Sequence, residues 1–190
     1  MKWVRAEYLF PTICTKKEHL CWQLASAVRP KRNGSNVCYS RKYDGIRIEV
    51  NTQGVLLSRN GYILPSDLLP KWAKRCKYNL DGELVTHKDS THTKVIKALH
   101  RGDYEYLKLM VFDVKVPDVP FSERLELLAK CVPKANRVQQ KKIVNDSTIS
   151  DAMAECETKG YEGIVVRSLQ APYTCGRQSN KVMYKIKVKK

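Results

Sequence analysis

From Ile46 to Asn51 the side chains alternate in character: Ile46, Ile48 and Val50 are apolar, while Arg47, Glu49 and Asn51 are polar. Only an extended strand puts every second side chain on one face, so this period of two commits the segment to a half-buried place in a sheet. The NTQG turn that follows and the return segment VLLS complete a predicted hairpin. LDGELV, from Leu80 to Val85, is a second strand candidate, and LKLMVFDV, from Leu107 to Val114, is apolar enough for a buried central strand. Further strands are predicted in RVQQKKIV, YEGIVVRS and KVMYKIKVKK.

Helical spacing marks other segments. Leu20, Leu24 and Val28 predict a short amphipathic helix from Glu18 to Val28, followed by the loop RPKRNGSN. HTKVIKALHRG is expected to be a helix stopped by Gly102, and SDAMAECETKG a helix stopped by Gly160. A third helix is predicted to start at Ser122, a good N-cap, and to run through ERLELLAKC. Strands outnumber helices and the two are interspersed, which points to an α+β domain of antiparallel sheets flanked by helices. No repeat, low-complexity tract or linker divides the 190 residues, so they read as one domain.

Charge narrows the function. Lys and Arg total 35 against 19 Asp and Glu, a net of +16. An excess of that size is the footprint of a polyanion binder, nucleic acid first. The apolar runs are too short to span a bilayer, and MKWVRAEYLF lacks the apolar stretch of a secretory signal. The seven cysteines are odd in number and contain no CxxC pair. A zinc site is not expected, and reduced thiols in an intracellular compartment are.

The last predicted strand turns Val182, Tyr184, Ile186 and Val188 to one side and Lys181, Lys185, Lys187 and Lys189 to the other. A row of ammonium groups repels itself and calls for an anion. Glu83 and Glu162 each lie beside a glycine on a strand candidate, where a ligand can approach closely. Lys42 and Asp44 lie in the turn KYDG. Lysines suit phosphate oxygens and carboxylates suit Mg²⁺, so this set can bind a nucleotide and its metal together.

In their order along the chain, KYDG (Lys42 to Gly45), SRNG (Ser58 to Gly61), LDGELV, MVFDV (Met110 to Val114), EGIVVR (Glu162 to Arg167) and YKIK (Tyr184 to Lys187) resemble the motifs of ATP-dependent DNA ligases. PYTCGR also looks like the pattern that precedes the terminal lysines in these enzymes. The resemblance covers the chain from about Ser40 to Lys187 and implies an ATP-grasp-like nucleotidyltransferase domain that forms a lysyl-AMP intermediate. ATP and Mg²⁺ (or Mn²⁺) are the implied cofactors, and nicked duplex DNA is the implied partner of a monomeric chain.

By the same resemblance, Lys42 is the adenylated nucleophile, and Lys185 and Lys187 hold the α-phosphate. Glu83 holds the ribose hydroxyl, Arg47 contacts the ribose or the leaving phosphates, and Phe112 stacks on adenine. Ser40 contacts the adenine amine, in a position where many relatives carry glutamate. Arg41 joins the nucleotide site, Glu162 holds the metal, and Asp44 and Gly45 shape the turn. Arg59 grips the 5′-phosphate, and Arg167 and Arg177 touch DNA phosphates. A lysine with an ordinary pKa of about 10.4 is a poor nucleophile at neutral pH. Crowding by Lys185 and Lys187 is therefore expected to favour its neutral form. Ligases of this type continue into a small OB-fold domain after the terminal lysines, and that domain is expected to be absent from this chain. An RNA ligase or capping guanylyltransferase of the same superfamily, or a non-catalytic nucleic-acid-binding module, remain as alternatives. KYDG, SRNG and LDGELV look more like the DNA ligases.

Overall fold

The computed structural model describes residues 21–30 and 36–188. The period of two from Ile46 onward is realised as a strand, β3 (Ile46–Val50), which follows β2 (Val37–Lys42) after a three-residue turn. That turn carries the chain from one sheet to the other. One sheet pairs β2 with β7 (Gln140–Lys142), β8 (Gly163–Ser168) and β10 (Met183–Lys187) in the order β10-β8-β2-β7. The other pairs β3 with β4 (Leu56–Ser58), β5 (Leu80–Thr86) and β6 (Leu107–Val114) in the order β4-β3-β5-β6. All of these pairings are antiparallel. A parallel pair, β1 (Gln23–Leu24) with β9 (Gly176–Arg177), stands apart.

Each sheet buries its outer face under helices. Helix α1 (His92–Arg101) packs Val95 and Leu99, and α2 (Phe121–Cys131) packs Leu128, against Ile48, Leu84, Leu109 and Val111 of the β3–β6 sheet. Full burial of side chains this size is worth about 1.5–3 kcal/mol each. Helix α3 (Asp146–Thr158) packs Ile149, Ala152 and Cys156 against Ile164, Val166 and Tyr184 of the other sheet. With the outer faces covered, the inner faces are left to enclose a cleft. The helix stops follow the sequence. Gly102 caps α1 with φ 79°, and Gly160 lies just beyond α3 with φ 67°, both in the left-handed region that glycine enters without steric cost.

The structure corrects two expectations. Residues 21–28 are not helical: Gln23 and Leu24 pair with Gly176 and Arg177, and Trp22 and Gln23 are both buried. A tertiary strand partner overrides the helical spacing there, and the Glu18–Leu20 part of that expectation lies outside the described residues. Ser122 is not the cap of α2, which begins at Phe121 with Pro120 as N-cap. The Ser122 N–H instead donates to the Leu169 carbonyl, while the buried Phe121 anchors the helix start. Cys21 and Cys175 are joined in a disulfide, with Cα atoms 5.0 Å apart, and Cys38, Cys76, Cys131 and Cys156 are free. No helix among the described residues is long and apolar enough to cross a membrane.

Candidate active site

Lys42 is the last residue of β2, so its side chain stands where the two sheets diverge. The register sets its neighbours. Lys42 lies opposite Gly163, and Gly163 lies opposite Lys187, so both lysines flank the strand that begins beside Glu162. Gly163 has φ 141°, and a Cβ there would lie 2.0 Å from the Ile186 carbonyl oxygen, so glycine alone permits this approach. Gly45 is held in the same way: its Cβ would lie 2.2 Å from the Leu84 carbonyl oxygen, and glycine lets the KYDG turn lie against β5.

Glu162 is the hub of this corner. One carboxylate oxygen accepts a hydrogen bond from Lys42 Nζ and the other lies 2.6 Å from Lys187 Nζ. Burial disfavours its charge, yet the hydrogen bonds from Lys187 and Lys42 outweigh that and hold its carboxyl below the usual range. Glu162 thus stands between Lys42 and Lys187 as a shared counter-ion. Lys185 remains on the cationic side. Burial, with Lys187, Lys42 and Arg177 nearby, lowers its pKa, whereas the bond to Glu162 raises that of Lys187.

A cavity of about 220 Å³ opens from this corner between the sheets. Ser40, Lys42, Arg47, Arg59, Glu83, Phe112 and Lys185 all line it. Arg47 faces Glu83 directly across the β3–β5 pair. Burial pushes the Glu83 carboxyl up to about 7, against the pull of Lys42 and Arg47. The β5–β6 register shifts between Asp81 and Gly82, which leaves Phe112 without a partner residue on β5. Such a bulge re-aims a side chain, and the Phe112 ring lines the cavity. Arg59 is exposed at the rim, and Arg177 is exposed with its Nη1 2.9 Å from the Ala25 carbonyl oxygen.

Two expected site residues are placed otherwise. Arg41 and Arg167 both border the cavity, but their guanidinium groups are engaged elsewhere. Side chains alternate along β2, so Arg41 points away from Lys42 and lies over the Tyr161 ring, 3.5 Å from its centroid. Arg167 is only 6% exposed and hydrogen-bonds to Asp113, which also accepts from Arg124 Nε at 2.8 Å. That guanidinium is part of a buried ion-pair cluster.

Sequence reasoning missed this cluster. Asp81 and Asp113 are opposite one another on β5 and β6, and both are fully buried. Two facing carboxylates are tolerated because each has its own cations. Asp81 takes Arg47 in a two-point contact at 2.9 and 2.6 Å and the Tyr173 hydroxyl at 2.6 Å. Burial is the largest single influence on the Asp81 pKa and raises it, but Arg47, Lys115 and the Tyr173 hydroxyl together bring the net direction down. Arg47 is thus locked by Asp81 while it presents itself to the cavity. The available signal was the pair of aspartates inside otherwise apolar strands, in LDGEL and VFDV.

The comparisons agree with this geometry. The family profile of the ATP dependent DNA ligase domain matches residues 20–187. A probable DNA ligase of Nocardioides sp. is 25% identical over 171 residues, covering 80% of this chain and 34% of the relative. One of Streptomyces avermitilis is 25% identical over 174 residues, covering 81% and 33%. This chain therefore spans about a third of the length of these curated relatives. Among solved structures, a Lig E DNA ligase superposes with a TM-score of 0.70 at 22% identity, over 88% of this chain and 69% of that one. Chlorella virus DNA ligase-adenylate superposes with a TM-score of 0.64 at 19% identity, over 87% and 67%. With the profile running through both sheets and the whole lysine-glutamate corner, this chain belongs to the ATP-dependent DNA ligase domain family.

Proposed function

We propose that this domain takes AMP from ATP onto Lys42 and passes it to the 5′-phosphate of nicked duplex DNA, so that the nick can be sealed. The observation that carries this reading is the Lys42–Glu162–Lys187 corner at the edge of a cavity walled by Glu83, Arg47 and Phe112. An amine attacks phosphorus only when uncharged, and Glu162, which accepts the hydrogen bond of Lys42 Nζ, is an acceptor for the proton it must shed. Attack forms the phosphoramidate N–P bond as the bond to pyrophosphate breaks. Lys185 and Lys187 neutralise the α-phosphate, Glu83 accepts from the ribose hydroxyl, Phe112 stacks on adenine, and Ser40 faces the adenine amine. Arg59, at the rim, is left for the 5′-phosphate, with Arg177 further out.

No cluster of three or more metal-ligating side chains occurs among the described residues. Mg²⁺ commonly uses one or two carboxylates together with substrate phosphates, so Glu162 suits an ion that arrives with the nucleotide. Mg²⁺ or Mn²⁺ bound there supplies positive charge to the reacting phosphate oxygens. Adenylation of this unit as a monomer would draw on an OB-fold domain to orient the leaving pyrophosphate.

Incubation with ATP and Mg²⁺ followed by mass spectrometry tests the reading. A gain of one AMP, mapped to Lys42 and absent from Lys42→Ala, is expected. Labelling on another residue, or none, would overturn it. Labelling from GTP in preference to ATP would instead favour capping chemistry.

A further inference from the structure

The face of β2 turned away from Lys42 carries a second cavity, of about 170 Å³, between that strand, the segment leading into β7 and helix α3. Arg41, Arg137 and Lys141 line it, with Tyr39 and Tyr161; Glu155 is the acid in its wall. Glu155 is already shared, 2.8 Å from Lys159 Nζ and 3.6 Å from Lys141 Nζ. Among the described residues, neither Arg41 nor Arg137 has an ion-pair partner. The Nε of Arg137 is buried and without a hydrogen-bond partner.

A guanidinium has donors and no acceptor, so neighbouring arginines and lysines cannot satisfy one another. A buried donor left unpaired is rare in folded proteins, and a bound ion can supply the acceptor it lacks. An oxyanion answers both deficits at once, since it accepts several N–H bonds and offsets like charges that otherwise repel. The space is smaller than the nucleotide cavity and its cationic side chains sit beside aromatic and a few apolar ones, which fits a phosphate-sized group.

We propose that this cavity is a second binding site for a small phosphate-class oxyanion, held by Arg137 and Arg41 behind the nucleophile strand. It adjoins the nucleotide cavity, with Ser40, Arg41, Tyr43 and Val138 bordering both, but Arg137, Lys141 and Tyr161 line only this one, and Lys42, Arg47 and Glu83 only the other. The site does not depend on ligase chemistry, so failure of self-adenylation would leave it standing.

The test is titration of the chain with inorganic phosphate and with pyrophosphate at constant ionic strength, following the arginine Nε–Hε signals by ¹H–¹⁵N NMR. The Arg137 signal, assigned by its loss in Arg137→Met, is expected to move saturably together with that of Arg41. In Arg137→Met the half-saturating anion concentration for the Arg41 signal should rise about tenfold or more, the value of one lost charge-assisted bond. Arg137→Lys, which keeps the charge but loses the fork, should fall between. Pyrophosphate binding more tightly than phosphate would identify the source as the product of adenylation, and equal binding would identify free phosphate. The proposal is overturned if the Arg137 signal stays still while that of Arg47 moves, or if Arg137→Met leaves the half-saturation of Arg41 unchanged. Self-adenylation by ATP, measured in parallel, should be unaffected by Arg137→Met.

Discussion

Replacing Glu83 by glutamine removes a carboxyl that burial has raised from 4.5 to about 7. For an acid, a raised pKa means that the folded chain keeps a proton that the unfolded chain releases between those two values. Stability must then fall as pH climbs through that window and level off above it. The rise corresponds to about 3 kcal/mol between the low and high ends of the window. Glutamine keeps the shape and hydrogen-bonding reach without the titration. Urea denaturation of wild type and Glu83→Gln, at pH values from about 4 to about 8.5, reads the difference directly. The variant is expected to gain on the wild type by about 3 kcal/mol across the window and to run parallel to it above about pH 8. Curves parallel throughout would refute the argument. A wild type that gains on the variant with rising pH would show that Lys42 and Arg47 outweigh burial at this carboxylate.

The other perturbations follow the same reasoning. Asp113→Ala leaves Arg124 and Arg167 facing one another without a counter-ion in a dry interior. A loss of about 3–5 kcal/mol is expected in chemical denaturation, and a change under about 1 kcal/mol would contradict the cluster's role. Gly45→Ala puts a methyl 2.2 Å from the Leu84 carbonyl oxygen, so both the thermal midpoint and the rate of adenylate formation should drop together. Phe112→Ala should raise the ATP concentration for half-maximal adenylate formation about tenfold or more, because base stacking on an aromatic is worth about 1–3 kcal/mol. An unchanged dose–response curve would make Phe112 a core residue only.

What could be read from the chain was local. The alternation around Ile48 specifies a strand because strand periodicity is a property of the backbone, and the return at Leu56–Ser58 confirms the predicted hairpin. Gly102 and Gly160 stop helices because a left-handed residue ends the hydrogen-bond ladder wherever it falls. The order of the motifs around Lys42, Glu83, Phe112, Glu162 and Lys185 was equally visible. The residues around Trp22 illustrate the opposite case. Their spacing fits a helix, but strand β9, about 150 positions away, supplies hydrogen-bond partners that local propensity cannot anticipate. The surroundings of Arg41 and Arg167 were hidden for a related reason. An arginine in a basic chain looks equally available everywhere, and only packing shows one lying over Tyr161 and the other bound to Asp113.

The sequence by itself determined the class of fold, the positions of most strands and helices, and the ordered set of lysines and carboxylates that suits nucleotide chemistry. Tertiary structure decided which of those charges meet. Cross-strand register brings Lys42 and Lys187 to either side of Gly163, and Glu162 then neutralises both. Side-chain alternation along β2 separates Lys42 from Arg41, its own neighbour in the chain. The physical reason is range: turns and periodicity act over a few residues, whereas the charge on a buried group depends on partners brought near it by pairing and packing.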